Sequence, residues 1–150
     1  MKKLVAVVLM PCLFVLSVGM GLWSWEHGAL PGFRPTAVEV AVDTITKDHR
    51  GVRISGTAHY APKLRQTATE SDTVWWLYPL TAQGQTQERT VRVVVRTTRE
   101  PDPLLGFENR TVEGFARPPG RLLPQDARAA LRQKGYDLHE NVMLVEEWDD

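Results

Sequence analysis

Four histidines, one cysteine and a run of adjacent aromatic residues are the side chains here with the most chemistry to offer. His27, His49, His59 and His139 are spread along the chain, and none has a second ligand at the i+2 or i+4 spacing of a local metal site. His59 falls on the polar face of an alternating segment. That placement predicts a solvated surface ring, with a ligand or acid–base role as the sharper alternative. Cys12 lies inside an apolar N-terminal segment, so the rest of the chain has no thiol for a disulfide, a thiolate metal site or a cysteine nucleophile. Ser55 precedes Gly56 inside an alternating stretch, and no Gly-x-Ser-x-Gly elbow or phosphate-binding glycine loop occurs. The terminal carboxylates Glu146, Glu147, Asp149 and Asp150 lack the spacing of a calcium loop and read as a solvated tail. These residues predict a protein that is not an enzyme and carries no metal or cofactor.

The most unusual local feature is Trp75-Trp76-Leu77-Tyr78. In a strand, Trp76 and Tyr78 face one way and Trp75 and Leu77 the other, so one pair fills a core while the second lies on an outer face. That outer pair is expected either under a C-terminal helix or exposed as a binding surface, since aromatic rings concentrate in interface hot spots. Arg92 and Arg96, two turns of the alternation apart, are expected on one polar face beside it. The candidate partner- or ligand-binding set is therefore Trp75, Tyr78, Arg92, Arg96 and His59.

What holds these residues begins with Met1-Lys2-Lys3, followed by an uncharged stretch from Leu4 to Trp23. As a helix those 20 residues run about 30 Å, the thickness of a bilayer's hydrocarbon core. Trp23 and Trp25 stand where the span would leave the hydrocarbon, a depth that amphipathic rings favour, and the two lysines predict a cytoplasmic N-terminus. The expectation is an uncleaved anchor over 1–25, a linker over 26–35 and an exported β-rich domain over 36–150, in a bacterial inner membrane with the domain in the periplasm. Cleavage as a signal peptide is the alternative, although no Ala-x-Ala site follows the apolar run. The chain's 18 bases and 18 acids lose Lys2, Lys3, Arg34 and Glu26 with the first 35 residues, so the remaining domain is slightly acidic. Nucleic-acid binding, which draws on a basic excess, is not expected.

Beyond the linker the period changes to two. Val38, Val40 and Val42 alternate with Glu39, Ala41 and Asp43; Val52, Ile54, Gly56, Ala58 and Tyr60 share one face, opposite Arg53, Ser55, Thr57 and His59. Residues 61–72 read as a polar loop. Further strands are predicted at 74–81, with Pro79 at an edge or bulge, and at 90–98, 111–116 and 142–148; residues 104–110 are ambiguous. One soluble helix is marked by Pro124, Asp126, Lys134 and Gly135 and by the apolar stripe Leu123, Ala127, Ala130 and Leu131. Five or six short strands and one late helix predict a mainly β fold, a small five-stranded OB-like barrel ahead of a β-sandwich, with Gly56 and Gly114 at its sharp bends.

An N-terminal anchor followed by an exported OB-like barrel resembles the haem chaperone of cytochrome c maturation and, more loosely, the SURF family of cytochrome oxidase assembly factors. The haem chaperone resemblance implies a His-x-x-x-Tyr attachment element. Here His139 is followed by Glu140, Asn141, Val142 and Met143, so haem attachment does not carry over. The SURF resemblance implies a second span after the barrel, which has no counterpart in this sequence. The expected function is a membrane-anchored binding or assembly module engaging another envelope protein, with a periplasmic haem or lipid carrier as the alternative; the sequence leaves the oligomeric state open.

Overall fold

A computed structural model describes residues 34–149, which contain seven strands and one α-helix. The strands are β1 (Val38–Glu39), β2 (Gly51–His59), β3 (Leu64–Thr67), β4 (Val74–Thr81), β5 (Thr90–Thr97), β6 (Phe107–Arg117) and β7 (Asp137–Glu147). The helix, α1 (Gln125–Gln133), follows a 3-10 turn at Gly120–Leu122. The anchor over 1–25, the linker before Arg34 and the interface residues Trp23 and Trp25 lie outside the described residues. Among those described, no helix is long and apolar enough to cross a membrane.

The fold is mainly β: five strands close into a barrel in the order β2-β6-β7-β5-β4, and β4 returns to β2 through Thr57↔Thr81 and Ala58↔Leu80. All barrel contacts are antiparallel except β5–β7, which is parallel. The short strands β1 and β3 add to β2 and β4 at the margins. Closure depends on two glycines that the sequence marked. A Cβ on Gly56 would collide with the Thr81 carbonyl oxygen, and one on Gly114 with that of Glu146, so only a hydrogen at these positions lets neighbouring strands fold across one another.

Alternation delivers two cores. Val52, Ile54, Ala58, Tyr78, Leu80, Val93, Val95, Val112, Met143 and Val145 point inward and fill the barrel. Leu77, Val91, Val94, Val142 and Leu144 point outward and are covered by Leu123, Ala127 and Leu131 of the helical segment. The helix forms where its signals predict it: Pro124 is the extended residue before the first turn, and Gly135, at φ 85°, ends it in a conformation that costs other residues a Cβ clash. Strand β4 spans the predicted residues, and Pro79 sits in the gap between its β3 partners, which end at Leu77, and its β2 partners, which begin at Leu80.

Three expectations are corrected. Residues 61–72 are not all loop, because Leu64–Thr67 form β3 against Val74–Leu77. The first strand shrinks to two residues, although Val40 and Val42 remain buried. Residues 107–110 of the ambiguous stretch belong to β6, whose inward residues there are Glu108 and Arg110 instead of apolar ones. Glu108 accepts a hydrogen bond from the Tyr60 hydroxyl, and Arg110 pairs with Glu147 at 2.5 Å, so polar side chains occupy inward positions of the barrel with partners.

Candidate functional site

The five candidate residues do not form one site. Tyr78 is fully buried in the barrel with its ring edge-on to Tyr60 at 5.1 Å, which removes it from any surface. Burial pushes the Tyr78 hydroxyl well above the ordinary phenol range, and it pushes Tyr60 up to about 12. Trp75 and Arg96 do meet: the Arg96 guanidinium stacks 3.8 Å from the centre of the Trp75 ring and pairs with Glu146 at 2.8 Å. Leu77, on the same outer face, lies under the helical segment, whereas Trp75 is half-buried beyond it. Leu77 therefore meets the first expected fate, cover by the helical segment, while Trp75 lies half-buried under Arg96.

His59 is also buried, contrary to the expectation of a solvated ring. Its face of β2 is polar as far as Thr57, in a ladder of directly opposed pairs with β6: Arg53 with Glu113, Ser55 with Thr111 at 2.7 Å, and Thr57 with Asn109 at 2.6 Å. At the ladder's end Phe107 opposes His59, and the two rings meet edge-on at 5.0 Å. Tyr136 and the turn after β4 close over the remaining edge. His59 Nδ1 lies 2.9 Å from the Tyr136 hydroxyl, and Nε2 lies 2.9 Å from Thr81 Oγ1 and 3.2 Å from the Gln85 carbonyl. A neutral ring satisfies both nitrogens: Tyr136 donates to Nδ1 and Nε2–H donates toward Thr81 and Gln85. Burial accordingly lowers the imidazole pKa. The group joins β2, the 82–86 turn and the start of β7, which is a structural role.

Arg92 does not share a face with Arg96. In the parallel β5–β7 ladder, the step from Val91 to Val93 is matched by the step from Leu138 to Met143, so four residues of β7, 139–142, stand opposite Arg92 alone. Val91 packs with Val94 in the outer core, and Val93 packs inside the barrel. This break in alternation sends Arg92 toward the barrel end. There it lines two adjacent clefts of about 690 and 310 Å³ that share Val42, Asp43 and Arg92. The larger is bounded by the 43–48 loop, Pro118 and Pro119, Arg128 and the bulged residues His139–Asn141; the smaller runs toward Thr81, Gln85 and Glu88. Bulges re-aim side chains and cluster near functional sites, and this one places a cation at the waist of a groove.

Sequence reasoning missed the groove because the bulge has no glycine or proline to announce it. His139, considered there for haem attachment, instead borders the larger cleft, and its Nδ1 accepts a hydrogen bond from the Asn141 backbone at 3.1 Å. Of the terminal acids read as a solvated tail, three are tied down, Glu146 to Arg96, Glu147 to Arg110, and Asp149 to the Thr98 hydroxyl at 2.5 Å, while Asp150 lies outside the described residues. Among the described residues, no three His, Cys, Asp or Glu side chains converge in a manner that could hold a metal ion.

No protein family, curated protein or solved structure matches this chain. The class its geometry defines is a closed five-stranded β-barrel with one C-terminal helix and a groove across one end.

Proposed function

We propose that this chain is a non-enzymatic, membrane-anchored binding or assembly module of a bacterial envelope. Residues 1–25 hold it in the inner membrane, and the periplasmic barrel engages another envelope protein. The observation that carries this reading is the groove. A packed barrel offers binding surface only at its outside and its ends, and here one end is concave, built from three separate loops and supplied with a bulge-directed arginine. An OB-like reading of the barrel is supported by strand order: β6-β2-β4-β5 follows the Greek-key sequence 4-1-2-3, and β7 closes the cylinder. A tether adds effective concentration, which lets a modest groove serve a partner in the same membrane. A haem or lipid carrier would have to use this same groove, because Tyr60, Tyr78, Leu80, Val93 and Met143 fill the barrel itself.

Site-specific photo-crosslinking in intact cells tests the proposal. A crosslinker at Thr44 or Glu140, both exposed at the groove rim, is expected to give one discrete envelope-protein adduct that is absent with the label at Ser55 on the polar β2–β6 face. The same adducts from all three positions, or none from any, would defeat it.

A further inference from the structure

We infer that the groove takes an extended peptide segment of the partner, and that a single carboxylate on that segment pairs with Arg92. The inference deepens the proposed function and rests on it. Two clefts joined through Val42, Asp43 and Arg92 make an elongated trough from the 82–88 turn to the bulge of β7. Its form suits a strand-like segment better than a compact ligand. Val42 and Met143, which belong to the barrel core, reach its wall and supply apolar contact for side chains flanking the acid.

Among the arginines of the five barrel strands, Arg92 stands apart. The others are engaged: Arg53 with Glu113, Arg96 with Glu146 and Trp75, Arg110 with Glu147, and Arg117 over the Phe115 ring. Arg92 has no ion pair among the described residues. Glu88 attracts it electrostatically, but that carboxylate is already held by the backbone N–H groups of Arg89 and Thr90 at 2.9 and 2.7 Å. A half-buried guanidinium presented by a bulge, with its planar fork open, matches a carboxylate bidentately. Lys47 and Arg128 also line the trough, but its acids, Asp43, Asp48, Glu88 and Glu140, outnumber the three cations and oppose a dianion more strongly than a lone carboxylate, which disfavours a phosphate group. They also require that the segment carry little further negative charge.

The test is an amide NMR titration of the full chain in lipid nanodiscs with three capped hexapeptides. These alternate valine with threonine and carry one central Glu, Gln or Lys; inorganic phosphate is a fourth ligand. The Glu peptide is expected to give saturable shifts at Arg92 and at His139–Asn141, with the Gln peptide about ten-fold weaker, the factor a charge-assisted hydrogen bond supplies. Arg92→Gln should reduce Glu-peptide affinity to that of the Gln peptide, while Arg96→Gln leaves it unchanged. Equal affinities for Glu and Gln peptides, retention of the preference in Arg92→Gln, or no saturable shift from any peptide would each overturn the inference. Saturation by phosphate with no response to the Glu peptide would overturn it in favour of a phosphorylated ligand. Groove crosslinks that persist while the charge preference is absent would leave the binding-module reading standing and remove only the carboxylate.

Discussion

Enclosure by Phe107, Tyr136 and the 82–86 turn leaves the His59 ring no water with which to solvate a positive charge. Its folded-state pKa is therefore lower than the 6.5 of a free side chain. Below about pH 6.5 the unfolded chain binds a proton that the folded one resists, so stability is full above that pH and declines as pH falls toward the folded value. Urea unfolding across pH 5–8 should show this decline, and it should be absent in His59→Gln; an unchanged profile would mean the ring does not carry it. At neutral pH, His59→Ala should cost about 2–4 kcal/mol, because it opens a cavity and strands the Tyr136 hydroxyl. Tyr78 makes the opposite case. Its hydroxyl is buried without a hydrogen-bond partner among the described residues. Tyr78→Phe removes that unpaired group at nearly constant volume, and should be neutral or stabilising by up to about 1 kcal/mol in the same denaturation assay.

At the scale of elements, the segments legible in the sequence are those whose two faces differ. Strand β2 reads clearly because Val52, Ile54 and Ala58 enter the barrel while Arg53 and Ser55 meet solvent. The helix reads because its caps and apolar stripe agree. Illegible segments fail for identifiable reasons: β3 is four residues at an edge with only Leu64 to show for it, and the first part of β6 has Glu108 and Arg110 pointing inward, so its polarity is reversed. The candidate site was harder still. Periodicity places Arg92 with Arg96, and only the pairing of β5 with a distant strand reveals the break between them. The bends at Gly56 and Gly114 were legible, and they carry a sharp expectation. Gly56→Ala or Gly114→Ala forces a methyl onto a neighbouring strand's carbonyl, a backbone atom that cannot swing aside, and should cost about 3 kcal/mol, at the upper end for overpacked cores. Gly84→Ala provides a contrast: a Cβ there meets open space but φ is 83°, so the loss should be about 1 kcal/mol from backbone strain alone.

For the whole molecule, closure makes the last strand a condition of the first. Strand β7 stands between β5 and β6, bonding both, and also receives the helix-covered core through Val142 and Leu144. A chain ending before Asp137 would leave β5 and β6 with open edges and both cores unsealed, a state with no partial barrel to rest in. Thr36–Asp150 form a compact unit of their own. Two truncations should therefore behave oppositely. Removal of residues 1–33 is expected to leave a cooperative thermal transition. Removal of 137–150 is expected to abolish the transition and expose surface that binds a hydrophobic dye. Because β2 must find β6 and β5 must find β7 across long stretches of chain, refolding of the shortened domain should fall in the millisecond-to-second range of nonlocal β topologies, measurable by stopped-flow tryptophan fluorescence. Microsecond refolding, or a cooperative transition surviving loss of β7, would mean that a smaller part of the barrel is the folding unit and that closure is an addition to it.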